Sequence, residues 1–209
     1  MGTVAQVRPY RGVEAADRLA DRRSRLLQAG LDILGSRADP SDLTVRGICR
    51  QAGVTARYFY ESFTDKDELV AAVYDWVIAD IAAGTQAAVA AAPPRTENRA
   101  AMANIVQTIA EDPRIGRLLF NSELANPVLV RKRREAGGLL TTLYGRDVGS
   151  ALGVQQSERS KATAHFAVAG VAQTISAWLD GDVELEAGEL VDQLTAILDA
   201  LTDPKLYRD

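Results

Sequence analysis

One cysteine and one histidine stand in a chain of 209 residues. Cys49 on its own excludes an intramolecular disulfide framework and argues for a reducing compartment. With a single thiol and a single imidazole, no multi-His or Cys-rich zinc site can be built, and a Ser-His-Asp triad would have to use His165. Neither GxGxxG nor GxxxxGK[ST] occurs, so the common glycine-rich phosphate loops are absent. No apolar run reaches the ~18 residues needed to span a bilayer. The longest candidate, Val70 to Ala92, is interrupted by Asp75, Asp80, Gly84 and Gln86. Met1 to Tyr10 lacks the apolar core of a signal peptide, and a cytoplasmic protein is expected. The common catalytic, metal and cofactor signatures are absent, which does not exclude an enzyme.

Positive charge is also in short supply, since the formal net charge is −4. That figure hides a difference between the two ends. Residues 1–75 carry 11 basic and 11 acidic side chains, whereas residues 76–209 carry 13 and 17. In the first segment Arg8, Arg11, Arg18, Arg22, Arg23 and Arg25 precede most of the acids. A global charge therefore says little about a local face.

Hydrophobic residues make up 47% of the chain, enough for a sizeable core, and their period is helical almost throughout. Arg18 to Gly35 carries Leu19, Leu27, Leu31 and Leu34 on one side. A loop follows at Gly35 to Asp42, and Thr44 N-caps a short helix that ends near Gln51. Ala52-Gly53-Val54 reads as a tight turn, with Thr55 capping the next short helix. Asp65 and Glu68 open a long helix, Lys66 to about Ala91, that Pro93-Pro94 stops. Further helices are predicted at Glu97–Glu111, Pro113–Asn121, Pro127 to Gly145 or beyond, Ser157–Leu179 and Gly188–Thr202. The fold class is all-α.

Helix, glycine turn and helix over Thr44 to Tyr60 is the arrangement of a helix-turn-helix, whose second helix can enter the major groove. Val45, Ile48, Ala52, Val54, Phe59 and Phe63 supply the inward apolar faces. Arg46, Arg57, Tyr58 and Tyr60 face outward and suit bases and phosphates. Lys66 places a cation in the first turn of a helix, where the dipole disfavours it and a bound phosphate would compensate it.

Leu43 to Leu69, with Ala-Gly-Val at the turn and Tyr60, Phe63, Lys66 and Leu69 at their spacings, resembles the DNA-binding domain of TetR-type transcriptional regulators. The likeness runs from about Arg18 to Val73. Beyond it lie only similar length and helix pattern, and the run Ala177 to Gly181 ahead of a last helix. The resemblance implies a flexible arm at 1–17, a three-helix DNA-binding domain at 18–65, and a helical effector-binding and dimerisation domain at 66–209. It further implies a homodimeric repressor on a palindromic double-stranded DNA operator, released by a small-molecule effector. Carried over by position, Arg46 touches a base edge, Ala56, Arg57 and Tyr58 face the major groove, and Thr44, Thr55, Tyr60 and Lys66 hold phosphates. Ser62 stands where the family often has His or Tyr, and the loop Gly35 to Asp42 differs from the usual short connection. Arg8 and Arg11 suit an arm entering an A·T-rich minor groove, set against a disordered tail.

In the C-terminal helices, Asn104, Gln107, Phe120, Tyr144, His165, Phe166, Gln173 and Trp178 interrupt apolar patterns and are the candidates for an effector cavity. Ala164, Val168, Val171 and Ile175, with Leu190, Leu194, Ile197 and Leu201, form stripes on the last two helices. Such stripes serve either a four-helix homodimer interface or burial within one subunit. Arg131 to Arg134 is expected as a solvated face or one paired with carboxylates such as Glu135, and Asp180 to Glu186 as an exposed loop. The rival readings are an α-helical enzyme using His165 with carboxylates such as Asp180, and a helical protein-interaction module.

Overall fold

The computed structural model describes residues 10–36, 43–121, 124, 126–152 and 157–207, and every regular element among them is helical. In chain order these are α1 (Tyr10–Gly35), α2 (Val45–Ala52), α3 (Ala56–Tyr60), α4 (Lys66–Ala91), α5 (Glu97–Glu111), α6 (Pro113–Phe120), α7 (Pro127–Leu152), α8 (Glu158–Asp180) and α9 (Ala187–Ala200). A 3-10 turn at Pro204–Tyr207, without a sequence signal, follows. The expected helices are present, and all but α1 lie within a few residues of their predicted ends.

The caps explain several of those ends. Thr44 Oγ1 accepts the Gly47 N–H at 3.0 Å, satisfying one of the orphan donors of α2. At the other end Gly53 takes φ 64°, ψ 37°, and Val54 N–H reaches back to Cys49 O at 3.0 Å. That left-handed closure is open to glycine without steric cost. Asp65 Oδ1 accepts Glu68 N–H at 2.8 Å to start α4, while the Glu68 carboxylate takes the Thr64 N–H at 2.6 Å. The Thr64 bonds hold the Glu68 carboxyl below its ordinary range. Asp112 caps α6 just ahead of Pro113, and Ser157 and Ser160 cap α8 reciprocally.

One boundary differs. α1 begins at Tyr10, eight residues before the predicted Arg18, so residues 10–17 are helical and not an extended arm. The stretch has Gly12 as its one poor helix former, and Pro9 stands just ahead of it, where proline is tolerated. Arg8 lies outside the described residues, as does the loop at 37–42.

Two apolar cores hold the helices together. The first gathers Leu26 and Leu31 of α1, Ile48 of α2, Phe59 and Phe63 around α3, and Leu69 and Val73 of α4. It continues without a break into Leu118 of α6 and Leu129 of α7. The second joins Val106 and Ile109 of α5 to Ile175 of α8 and Leu190 and Leu194 of α9. Ile115 and Phe120 of α6 pack against both.

The second core buries most of the α8–α9 stripes within one subunit. Ala164, Ile175, Leu190 and Leu194 are buried, and Val168, Val171 and Leu201 partly so, within one subunit. The cause is that α9 lies on α5, so its apolar face meets Met102, Val106 and Ile109. Ile197 alone of the eight is exposed. Among the apolar side chains that do face outward are Leu139, Leu140 and Leu143 on α7 and Phe166 on α8.

Candidate nucleic-acid interface

Phe59 and Phe63 plunge into the first core and thereby fix which side of α3 looks outward. Ala56, Arg57 and Tyr60 are exposed, with 85% of the Arg57 side chain accessible, while Tyr58 is half-buried. Tyr60 stands edge-on to the Phe59 ring, centroids 5.4 Å apart, so an exposed aromatic is braced from behind. Thr55 makes no capping hydrogen bond through its side chain and is exposed. On α2, Arg46 is exposed in the first turn. Lys66 is exposed beside Asp67, with Nζ 2.7 Å from Oδ1. A surface pair of that kind is worth ~0–1 kcal/mol, so an incoming phosphate can replace it at little cost. Ser62 Oγ is buried without a hydrogen-bond partner.

The helix ends behind this surface are finished by arginines of α1. Arg25 Nη2 donates to Ala52 O at 2.7 Å and Gly53 O at 3.0 Å, closing the carbonyl end of α2. Arg23 Nη1 donates to Ser62 O at 2.9 Å, with its guanidinium 4.4 Å from the Phe63 ring centre. Arg22 lies 3.7 Å above the Tyr58 ring. Composition places these arginines near the reading unit. Their contacts, 27 and more residues away in sequence, carry no spacing signal. Cys49 is buried, which pushes its thiol up and suits a packing role.

A polar cluster bolts the far end of α1 to α6. Asp32 receives Gln51 Nε2 of α2 at 3.2 Å on one oxygen and the Arg114 guanidinium of α6 on the other. Asp112 binds the same guanidinium, and those bonds hold its carboxyl below the usual range. Arg117 Nη1 donates to Gly35 O at 2.6 Å, and a Cβ on Gly35 would lie 2.7 Å from the Arg114 backbone.

The eight residues predicted to line an effector cavity do not converge. Asn104 and Gln107 meet in an open groove of about 470 Å³, together with Ala88 of α4 and Ala100, Ala103 and Glu111 of α5. Asn104 Nδ2 also bridges to Thr85 Oγ1 at 3.0 Å. Phe120, Tyr144 and Trp178 pack against the second core, and Trp178 Nε1 donates to Leu185 O at 2.8 Å. Burial pushes the Tyr144 phenol up to about 12. His165, Phe166 and Gln173 sit exposed on α8. The Arg131 to Arg134 run divides likewise. Arg131 pairs with Glu135 at the surface, and the half-buried Lys132 pairs with Asp75, each with a carboxylate as expected. Arg133 departs from that expectation: half-buried, it donates to Leu118 O at 2.7 Å because the short α6 leaves terminal carbonyls to satisfy. Among the described residues no group of three or more metal-ligating side chains occurs, and no helix is long and apolar enough to cross a membrane.

Residues 27–73 match the family model of the bacterial regulatory proteins, tetR family. No curated protein matches the chain in sequence. Among solved structures, a TetR-family regulator from Syntrophomonas wolfei is similar with a TM-score of 0.71 at 14% identity, covering 88% of this chain and 95% of its own. A transcriptional regulator from Pseudomonas aeruginosa gives 0.67 at 18%, covering 93% and 94%. FadR from Bacillus subtilis, solved with stearoyl-CoA, gives 0.61 at 15%, covering 84% and 96%. At such identities these structures share the fold. The family match falls on the segment whose α2, turn and α3 hold an open basic and aromatic face on a buried core, so residues 27–73 carry the DNA-binding helix-turn-helix of the bacterial regulatory proteins, tetR family, within a chain that shares the fold of solved transcriptional regulators.

Proposed function

We propose that the chain is a homodimeric repressor that reads a palindromic operator with α3 and leaves it when a small molecule binds the helical body. Residues 18–65 act as the reading head and residues 66–209 as the regulatory part. The observation that carries this reading is the α3 surface, where Ala56, Arg57 and Tyr60 point outward while Phe59 is fully buried behind them. Arg46, Arg57 and Tyr58 contact base edges; Thr44, Thr55, Tyr60 and Lys66 hold phosphates.

The dimer uses the outward face of α7 and α8. Leu139 and Phe166 are 61% and 65% exposed, and a Cβ built on Gly137, Gly138 or Gly170 meets nothing within 4 Å. A second copy would bury these leucines and the phenylalanine. Two-fold symmetry then sets the recognition helices ~34–36 Å apart, one turn of the duplex.

The effector occupies the α4–α5 groove, whose volume falls in the range for a drug-sized ligand. Alanines form its apolar walls, Asn104 and Gln107 offer amides, and Glu111 supplies a carboxylate. That lining favours a neutral or cationic apolar molecule over a polyanion such as the stearoyl-CoA of the Bacillus subtilis relative. α4 runs unbroken from the reading head to Ala88 in the groove, and α6 reaches α1 through Arg114 and Asp32. A ligand that binds better to one spacing of the heads shifts the population toward it, and linkage weakens DNA binding.

Footprinting on DNA upstream of the gene tests the reading. Two protected half-sites one helical turn apart are expected, together with a dimer in sedimentation that Phe166→Asp dissociates. A single asymmetric footprint from a monomer would sink the proposal.

A further inference from the structure

Arg22 sits on α1, outside the helix-turn-helix, yet it touches both α3 and the residue that caps its end. Its guanidinium carbon lies 3.7 Å from the centre of the Tyr58 ring, and its Nη1 lies 3.8 Å from Glu61 Oε2. Glu61 in turn receives Arg57 Nε at 3.1 Å on its other oxygen. One carboxylate therefore links the two arginines, and one of those arginines covers the tyrosine beside the other. Only 27% of the Arg22 side chain is accessible, against 85% for Arg57.

We infer that Arg22 is a specificity-determining residue that acts by positioning Tyr58 and Arg57, without contacting DNA itself. A phosphate would have to displace Glu61 from its edge or the ring from its face. A planar guanidinium stacked on an aromatic face is a preferred arrangement that lysine does not reproduce. With Tyr58 pinned beneath it and Glu61 fixed, the groove-facing side chains of α3 are ordered before DNA arrives. Order of that kind favours the sequence whose edges fit the held geometry. Non-specific binding rests on tolerant phosphate contacts and gains little from it. The inference rests on the reading of α3 as the base-contacting helix.

The test compares the full-length protein with Arg22→Gln on two duplexes, one recovered by selection from a random-sequence library with the unaltered chain and one with its half-sites scrambled. Affinity for the selected duplex should fall by about three- to ten-fold, the worth of one pre-ordered side chain. Affinity for the scrambled duplex and the slope of affinity against salt should stay unchanged. In a Tyr58→Ala background the Arg22→Gln loss should shrink, because its route has been removed. If Arg22→Gln fails to fold by circular dichroism, Glu61→Gln replaces it, with a smaller loss in the same direction. Equal losses on both duplexes, with the salt slope reduced by about one, would make Arg22 a phosphate contact and overturn the inference. No loss on either duplex would overturn it as well. Arg57→Ala is the control: if it leaves discrimination intact, or if selection enriches nothing, the α3 reading fails and takes this inference with it.

Discussion

The first core is edged by side chains that finish helix ends, some local and some reaching across from α1, and the second in part by exposed pairs between distant stretches of chain. Around the first, Thr44 caps α2, Asp65 caps α4, and Arg25 closes the turn at Gly53. Around the second, Asn98 pairs with Asp199 and Arg99 with Asp192. Caps and arginine contacts that satisfy these helix-end groups fix the shape of the α2–α3 surface, as a surface that must match a rigid duplex requires. A framework of exposed long-range pairs is individually weak, so a ligand can favour one arrangement over another.

Truncating one residue in each core breaks the comparison most forcefully. Phe59→Ala removes a fully buried ring and should cost ~3–5 kcal/mol, abolishing DNA binding as the head melts. Ile109→Ala, equally buried, should cost ~2–5 kcal/mol while sparing DNA affinity wherever the chain remains folded. Denaturant titration alongside anisotropy would show it. Equal loss of DNA affinity from both would mean that the cores are not separable in function.

Within the head, base and phosphate contacts should part next. Arg46→Ala should cost ~1–3 kcal/mol on the preferred sequence and relax discrimination, whereas Lys66→Ala should weaken every sequence alike and lower the salt slope by about one. Gly53→Ala tests the scaffold behind them. At φ 64° an alanine costs about 1–2 kcal/mol, and its Cβ would sit 3.0 Å from Arg25 Nη2, visible as a lower melting temperature.

The junction between the two regions gives effects of similar size on stability and the smallest on DNA binding. Gly35→Ala would press α6 away from α1 and should cost ~1–3 kcal/mol at most, with the effector response weakened more than basal binding. The Asp112 carboxyl is held low by Arg114, so its contribution is complete above the unfolded value near ~4 and is lost as pH falls through the lower folded value. Thermal stability should therefore decline on acidification below about pH 4, less steeply in Asp112→Asn.

The same contrast explains what the sequence discloses. Caps, the glycine turn and the apolar period are local, so α2, α3, their turn and the outward Arg46, Arg57 and Tyr60 were legible. The grip of Arg22, Arg23 and Arg25 on α3 and the turn was not, because their partners lie 27 to 40 residues away. In the body, Trp178 and Phe120 interrupt an apolar pattern as a ligand residue would. What places them in packing is their contact with Leu185 and the second core, which spacing does not encode. The α8–α9 stripes are ambiguous for the same reason: an apolar face looks alike whether α5 or a second copy covers it.

The central claim is that the outward face of α3 reads base sequence. Fluorescence anisotropy of the unaltered chain and of Arg57→Ala, on a selected and a scrambled duplex at two salt concentrations, tests it most directly. The account predicts selective binding by the unaltered chain that weakens with salt, and discrimination reduced by ~1–3 kcal/mol in Arg57→Ala. Full discrimination retained by Arg57→Ala would contradict it.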